Sequence, residues 1–258
     1  TLINLGRLGV SARIATELGK DMFSEFAKSK FRENGVEPVN LYDGEKIPLN
    51  ITSAIILPAD RTFFTYGKGS IDPSDAAKEA FYRMATGAKV VLMHPGGFLP
   101  VYRRLKAEGT KLVLDTGWDD ELSFSKYGAY LELADYYTPN RKEAMQITGA
   151  SSPEAAAEQL RAYFDRVVVK VDKDGCIGID GGEKFFVPSV DEFQNEDSTG
   201  AGDAFLAGFV YGLMHDCPLR QCIAYGNITG GKAVTAVGAL SAYLTEAELQ
   251  AYYGKYYR

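Results

Sequence analysis

Asp197-Ser198-Thr199-Gly200-Ala201-Gly202-Asp203, running straight into Ala204-Phe205-Leu206-Ala207-Gly208-Phe209, is the stretch on which the reading of this chain turns. Small residues stand where an apolar helical run begins, so the backbone there is approachable. The first turn of a helix carries unpaired N–H groups and the positive end of the dipole, which together hold an anion such as a phosphoryl group. Asp203 lies one residue past the last glycine. A carboxylate repels a bound phosphate, so its place there makes sense as a base for whatever attacks that phosphate. The plain alternative is a glycine-eased turn with Asp203 as a first-turn acid. The length of the small-residue string favours the chemical reading.

The 258 residues are 46% hydrophobic, in keeping with one large α/β domain or a domain with a small appendage. A balance of 28 Lys and Arg against 34 Asp and Glu gives a net charge of −6, which argues against a nucleic-acid surface. Cys176, Cys217 and Cys222 are too few, and odd in number, for a disulfide framework. With only His94 and His215 in the chain, they also lack metal-ligand spacing. They read as buried or incidental thiols in a reducing cytoplasm. No apolar run approaches the length of a membrane span.

From residue 88 onward short β-branched runs alternate with helical patterns. Val90-Val91-Leu92-Met93, Leu112-Val113-Leu114, Tyr136-Tyr137 and Val167-Val168-Val169 read as strands. Helices are expected over 72–86, 98–108, 119–132 and 152–164, the last with Ser152 as N-cap and Pro153 at the first helical position. Two more follow over 200–215 and 219–236. Continuous apolar strands separated by helices predict a parallel sheet covered on both faces. Residues 40–69 break the rhythm. There, 51–57 and 62–66 read as an antiparallel pair turning at Pro58-Ala59-Asp60-Arg61.

Asp-Ser-Thr-Gly-Ala-Gly-Asp-Ala-Phe resembles the C-terminal signature of the ribokinase-like (PfkB) carbohydrate kinases. The resemblance runs through nearly the whole chain, with its motifs concentrated between residues 139 and 240. It implies a three-layer fold, a mostly parallel sheet flanked by helices, with a small β-sheet lid. Residues 1–39 and 70–258 form the core on this reading, and 40–69 the lid. It implies transfer of the γ-phosphoryl group of ATP to a hydroxymethyl of a monosaccharide or sugar acid, such as fructose or 2-keto-3-deoxygluconate. Gly200, Ala201 and Gly202 then form the anion hole, and Asp203 is the catalytic base. The lid aromatics suggest packing, or a surface for a homodimer. No nucleic acid or membrane partner is expected.

Further residues carry over one by one. Asn140 and Glu143, in Pro139-Asn140-Arg141-Lys142-Glu143, resemble the N-x-x-E motif that positions Mg²⁺ and phosphate, often through water. The same spacing makes an ordinary capping box. Lys170 and Gly175 match a strand and turn that lines the ATP phosphates, while Asp172 replaces the usual first glycine there. A plain hairpin turning at Asp174-Gly175 is the alternative. Asn227 stands where related kinases have an Asn near the nucleotide, and would equally suit a helix surface. Asp197 and Thr199, with carbonyls near Ala233, Ala236 and Gly238, resemble the K⁺ site of some members. Hydrogen bonds within the turn are the alternative. His94 and the following Gly96-Gly97, and Arg61 on the lid, are weaker candidates for the sugar.

Gly226-Asn227-Ile228-Thr229-Gly230-Gly231-Lys232 has the spacing of a P-loop, but Ala233 stands where Ser or Thr is needed and no strand precedes it. A dinucleotide fold fails because Phe205 occupies the position of the third glycine. A catalytically weak protein that binds nucleotide or sugar as a regulator is the rival reading. Leu2-Ile3-Asn4-Leu5-Gly6-Arg7-Leu8-Gly9 resembles the middle of the family's first helix. This predicts that the natural polypeptide extends upstream with a strand and a sugar-holding Gly-Gly loop.

Overall fold

The computed structural model describes residues 1–56, 61–67, 72–117 and 119–258. Helix α1 (Leu2–Arg7) leads into strand β1 (Ala12–Thr16), helix α2 (Met22–Glu33) and strand β2 (Val36–Asn40), parallel to β1. Strands β3 (Ile51–Ile56) and β4 (Arg61–Tyr66) form a separate antiparallel pair, as expected. The turn expected between them, at Pro58, Ala59 and Asp60, lies outside the described residues.

The α/β alternation then sets in. It comprises α3 (Asp75–Ala85), β5 (Val90–Met93), α4 (Leu99–Ala107), β6 (Lys111–Leu114), α5 (Phe124–Leu131), β7 (Tyr136–Tyr137), α6 (Arg141–Thr148), α7 (Pro153–Leu160) and β8 (Arg166–Lys170). Strands β5, β6 and β7 pair in parallel, and a single parallel bridge between Asn140 and Lys170 carries the order on to β8. β9 (Gly175–Asp180) and β10 (Glu183–Pro188) extend β8 antiparallel. Three helices complete the chain, α8 (Ala201–Met214), α9 (Leu219–Ala233) and α10 (Glu246–Tyr256). Among the described residues no helix is long and apolar enough to cross a membrane.

Side chains on a strand alternate between its two faces, and here both faces are buried. Val113, Tyr136 and Val168 pack with Phe205, Phe209, Ile223 and Ile228 of α8 and α9. Their neighbours Leu112, Leu114, Tyr137, Val167 and Val169 pack with Leu105, Leu131, Ile147 and Leu160 on the opposite face. This is a three-layer arrangement, a largely parallel sheet between two layers of helices, as expected.

Local chemistry explains where the helices start and stop. Ser152 caps α7 by accepting the Ala155 N–H at 3.1 Å, with Pro153 behind it. The helix expected over 119–132 begins only at Phe124. Upstream of it the Asp119 carboxylate takes the Glu121 N–H at 2.9 Å, the Tyr127 hydroxyl and the Lys126 ammonium, which holds the chain in a bend. β1, α2, β2, β10 and α10 lie outside the elements expected from the sequence.

β1 and β5 are each paired on one side only among the described residues. Their open edges face a cavity of about 1180 Å³, closed by Leu2 and Leu5 of α1, Val210 and Met214 of α8, and Phe81 of α3. At the carboxyl end of β5 it reaches His94, Gly96 and Gly97.

Phe209 links α8 to the sheet. It is fully buried and sits edge-on to Tyr136 at 5.5 Å between ring centroids. Truncation of Phe209 to Ala should lower unfolding free energy by about 3–5 kcal/mol in urea titration, through lost burial and the cavity left behind. A loss below 1 kcal/mol would contradict this packing.

Candidate active site

α8 begins at Gly200, whose φ of +82° lies in the left-handed region, where a Cβ would also stand 2.6 Å from that of Ala239. No side chain caps this helix. Its first-turn N–H groups and dipole therefore present an anion cradle, and the positive end faces outward. Above it stands Lys170 from the end of β8, since a Cβ built on Gly202 would lie 3.6 Å from Nζ. The same ammonium is 5.6 Å from the centre of the Phe205 ring. An uncapped helix start, a residue without a side chain and an overhanging ammonium together suit a phosphate group.

Asp203 occupies the first turn of α8, with 61% of its side-chain surface exposed. Its Oδ1 accepts from the Thr1 amine at 3.1 Å and from the Thr1 hydroxyl at 2.5 Å. Desolvation pushes its pKa up, while the hydrogen bond from the Thr1 hydroxyl and the charge of Lys170 act to lower it. Leu2, next to Thr1, lines the large cavity.

Asn140 and Glu143 form the capping box in full. Asn140 Oδ1 accepts the Glu143 N–H at 3.0 Å, and Glu143 Oε2 accepts the Asn140 N–H at 2.9 Å. The pair is joined to the phosphate cradle through the backbone, because the Lys170 N–H donates to Pro139 O at 2.9 Å. Glu143 is buried, with 6% of its surface exposed, and its Oε1 stands outside the box. Among the described residues no group of three or more His, Cys, Asp or Glu could hold a metal. The donor set here is one or two hard oxygens, which suits Mg²⁺ because that ion keeps most of its water and takes its remaining ligands from phosphates.

Other candidates have structural partners. Asp197 Oδ1 accepts the Thr199 N–H and hydroxyl at 2.9 and 2.7 Å, and Oδ2 accepts the Gly238 N–H at 2.9 Å. Asn227 is buried, and Nδ2 donates to the Val187 and Pro188 carbonyls, so its amide fastens α9 to the end of β10. Gly175 is required by the fold, because a Cβ there would meet Val187 O at 2.2 Å. β8 and β9 do form a hairpin, with Lys170 paired to Cys176, residues 171–174 connecting the strands and Gly175 opening β9. Residues 226–232 lie within α9, where a helix leaves no loop to wrap a phosphate, in agreement with rejecting the P-loop. His94 is exposed at the cavity mouth, and its backbone is bonded to the Tyr102 hydroxyl. Arg61 opens β4, and its side chain lies outside the described residues.

Sequence reasoning missed three residues. Thr1 was hidden because its partner is 202 positions away. Arg141, placed against Asp172 and Asp174, was read only as a spacer within N-x-x-E. Asp115, directly after β6, carried a usable signal, an acid closing the apolar run Leu112-Val113-Leu114 at the carboxyl end of a parallel strand.

A family profile described as pfkB family carbohydrate kinase matches residues 1–246. Among curated relatives, an aminoimidazole riboside kinase of Salmonella typhimurium is 29% identical over 268 residues, covering 92% of this chain and 81% of that protein. A 5-dehydro-2-deoxygluconokinase of Clostridium tetani is 23% identical over 260 residues, covering 91% and 76%. Among solved structures, a ribokinase II described as putative, from E. coli in complex with ATP and Mg²⁺, superposes with a TM-score of 0.81. It is 21% identical, and the match covers 98% of this chain and 86% of that one.

The capping box separates two roles of Glu143. Glutamine can complete the box and alanine cannot, so Glu143→Ala should lower unfolding free energy by about 1 kcal/mol, whereas Glu143→Gln stays within about 0.5 kcal/mol of the parent. Urea titration of both variants checks this, and equal losses would contradict it.

Proposed function

The chain belongs to the pfkB family of carbohydrate kinases, phosphotransferases with a sugar alcohol as acceptor, and we propose that its chemistry runs through Asp203 at the N-terminus of α8. The observation that carries this reading is the joint placement of Gly200, Ala201, Gly202 and Lys170 around the first turn of α8, which also carries Asp203.

ATP is the donor. The helix N–H groups and Lys170 hold its phosphates in line with the acceptor. The sugar enters at the carboxyl end of β5, with β3 and β4 acting as the lid, and presents a hydroxymethyl to Asp203. Its oxygen attacks the γ-phosphorus, the bond from that phosphorus to the β–γ bridging oxygen breaks, and ADP leaves. The hydroxyl proton passes late to Asp203 and then to solvent. Asn140 and Glu143 are the residues that would hold Mg²⁺, through water, and the ion supplies neutralisation of phosphate charge. Gly175 and Asn227 serve the nucleotide indirectly, by fixing the strand ends around residues 187 and 188.

The substrate class is a monosaccharide or sugar acid carrying a free hydroxymethyl. Support comes from the names of the relatives, which act on a deoxygluconate and on a riboside. A K⁺ ion over Asp197 and Thr199 belongs to the same reading. The bond from Gly238 N–H to Asp197 supports it, because it holds the 238 loop against the carboxylate. Ile55, Phe64 and Tyr66, exposed on β3 and β4, suit a homodimer formed through the lid. Free Cys176, Cys217 and Cys222 suit a reducing cytoplasm.

Asp203→Asn should lower kcat by a factor of about 10² or more while ATP binding is retained. Near-normal turnover in steady-state kinetics would sink the mechanism. In a second assay, K⁺ should raise the rate above that in Na⁺ or in a bulky organic cation. Equal rates in all three would remove the cation site.

A further inference from the structure

The turn joining β8 to β9 carries two carboxylates beside a site that must hold a polyphosphate. Asp172 stands two residues after Lys170, the ammonium over the cradle, and Asp174 follows it. Asp172 adopts a φ of +54°, which an L-residue takes at some strain and Asn or Asp tolerates better than most. An acid is therefore held where glycine would be easiest, at the border of an anion site.

One side chain from another element meets both acids. Arg141, in the first turn of α6, brings Nε to 2.7 Å from Asp172 Oδ2 and Nη2 to 3.3 Å from Asp174 Oδ2. Nη2 also donates to the Val171 carbonyl at 3.1 Å. The Nε contact is an ion pair without an aligned hydrogen bond. Arg141 is the immediate neighbour of Asn140, the N-cap of α6, so the guanidinium ties the turn to the helix that carries Glu143.

The three side chains are 38%, 62% and 58% exposed for Arg141, Asp172 and Asp174, so pairing between them adds little to folding stability. Its effect on a nearby anion is larger. At ordinary ionic strength an unmasked charge acts over about 10 Å, enough for the turn to repel bound phosphates.

We propose that Arg141 is a positioning residue for the nucleotide, masking the charge of Asp172 and Asp174 and fixing the 171–174 turn beside the phosphate cradle. This rests on the reading of α8 and Lys170 as the ATP site. It also accounts for an acid at 172, since the chain tolerates Asp172 only because Arg141 faces it.

The test uses the full chain as parent, Arg141→Ala, Asp172→Asn and the double variant. Asn is chosen at 172 because it tolerates the left-handed backbone. Binding of a non-hydrolysable ATP analogue is measured by calorimetry, with KM for ATP and kcat alongside. Arg141→Ala should weaken the analogue and raise KM about tenfold, with kcat changed less than about twofold. The double variant should return to within about threefold of the parent, because the net charge over positions 141, 172 and 174 is again that of the parent, with Asp174 alone remaining. Asp172→Asn alone should bind at least as tightly as the parent, a result that stands even if Arg141→Ala folds poorly. If the parent binds the analogue and Arg141→Ala binds equally well, the masking role is overturned. So is it if the double variant stays as weak as Arg141→Ala, or if Asp172→Asn binds more weakly. A parent that binds no ATP analogue overturns the nucleotide site itself, and the role of Arg141 with it.

Discussion

Every residue from 204 to 213 in α8 is buried, and the rest of the site depends on that constraint. A helix apolar on all sides has one stable place, inside the core. Here it is pressed between the sheet and α9, with Phe209 against Tyr136 and Phe205 stacked 6.2 Å from Phe209. Its start cannot drift. Gly200, Gly202 and Asp203 are carried on the end of a rigid rod, and the small residues before it leave backbone donors open. Catalytic geometry is thereby inherited from hydrophobic burial.

The sheet supplies the second half of the site. Parallel strands end on one edge, and the residues just past their carboxyl ends gather there. Asp115 follows β6, Asn140 follows β7 and Lys170 closes β8. The bridge between Asn140 and Lys170 matters because it brings the α6 capping box to within one strand of the cradle. Burial sets the distances, and the polar groups at the edge set the charge. On the proposed reading Lys170 would attract phosphate and Asp203 would accept a proton.

The parts of this account written in short-range pattern were legible from the sequence. Residues 197–203 predicted an open helix start, and α8 begins at Ala201. Asn140 with Glu143 predicted a capping box, and both bonds are present. The apolar triplets predicted strands buried on both faces. Less was legible where the pattern is broken by pairing. β1 contains Arg13, which is exposed and bound to Glu37 on its partner strand at 2.8 Å, and β2 contains Pro38. Neither strand alternates cleanly. The register of the β8–β9 hairpin depends on the Lys170–Cys176 pair, which no local motif encodes. Contacts such as Thr1 with Asp203 and Arg141 with Asp172 join residues far apart in the chain, and only the fold brings them together.

The central claim is that the cradle at α8 transfers phosphate to a sugar and does more than bind ligands. The direct measurement is ADP release by the full chain with Mg²⁺ and ATP, across a panel of monosaccharides and sugar acids, compared with the same mixture lacking sugar. The account predicts ADP release that depends on one or a few of these sugars and yields the corresponding sugar phosphate. Binding of ATP with no sugar-dependent ADP release for any member of the panel would contradict it, and would favour a kinase-fold protein that senses its ligands without turning them over.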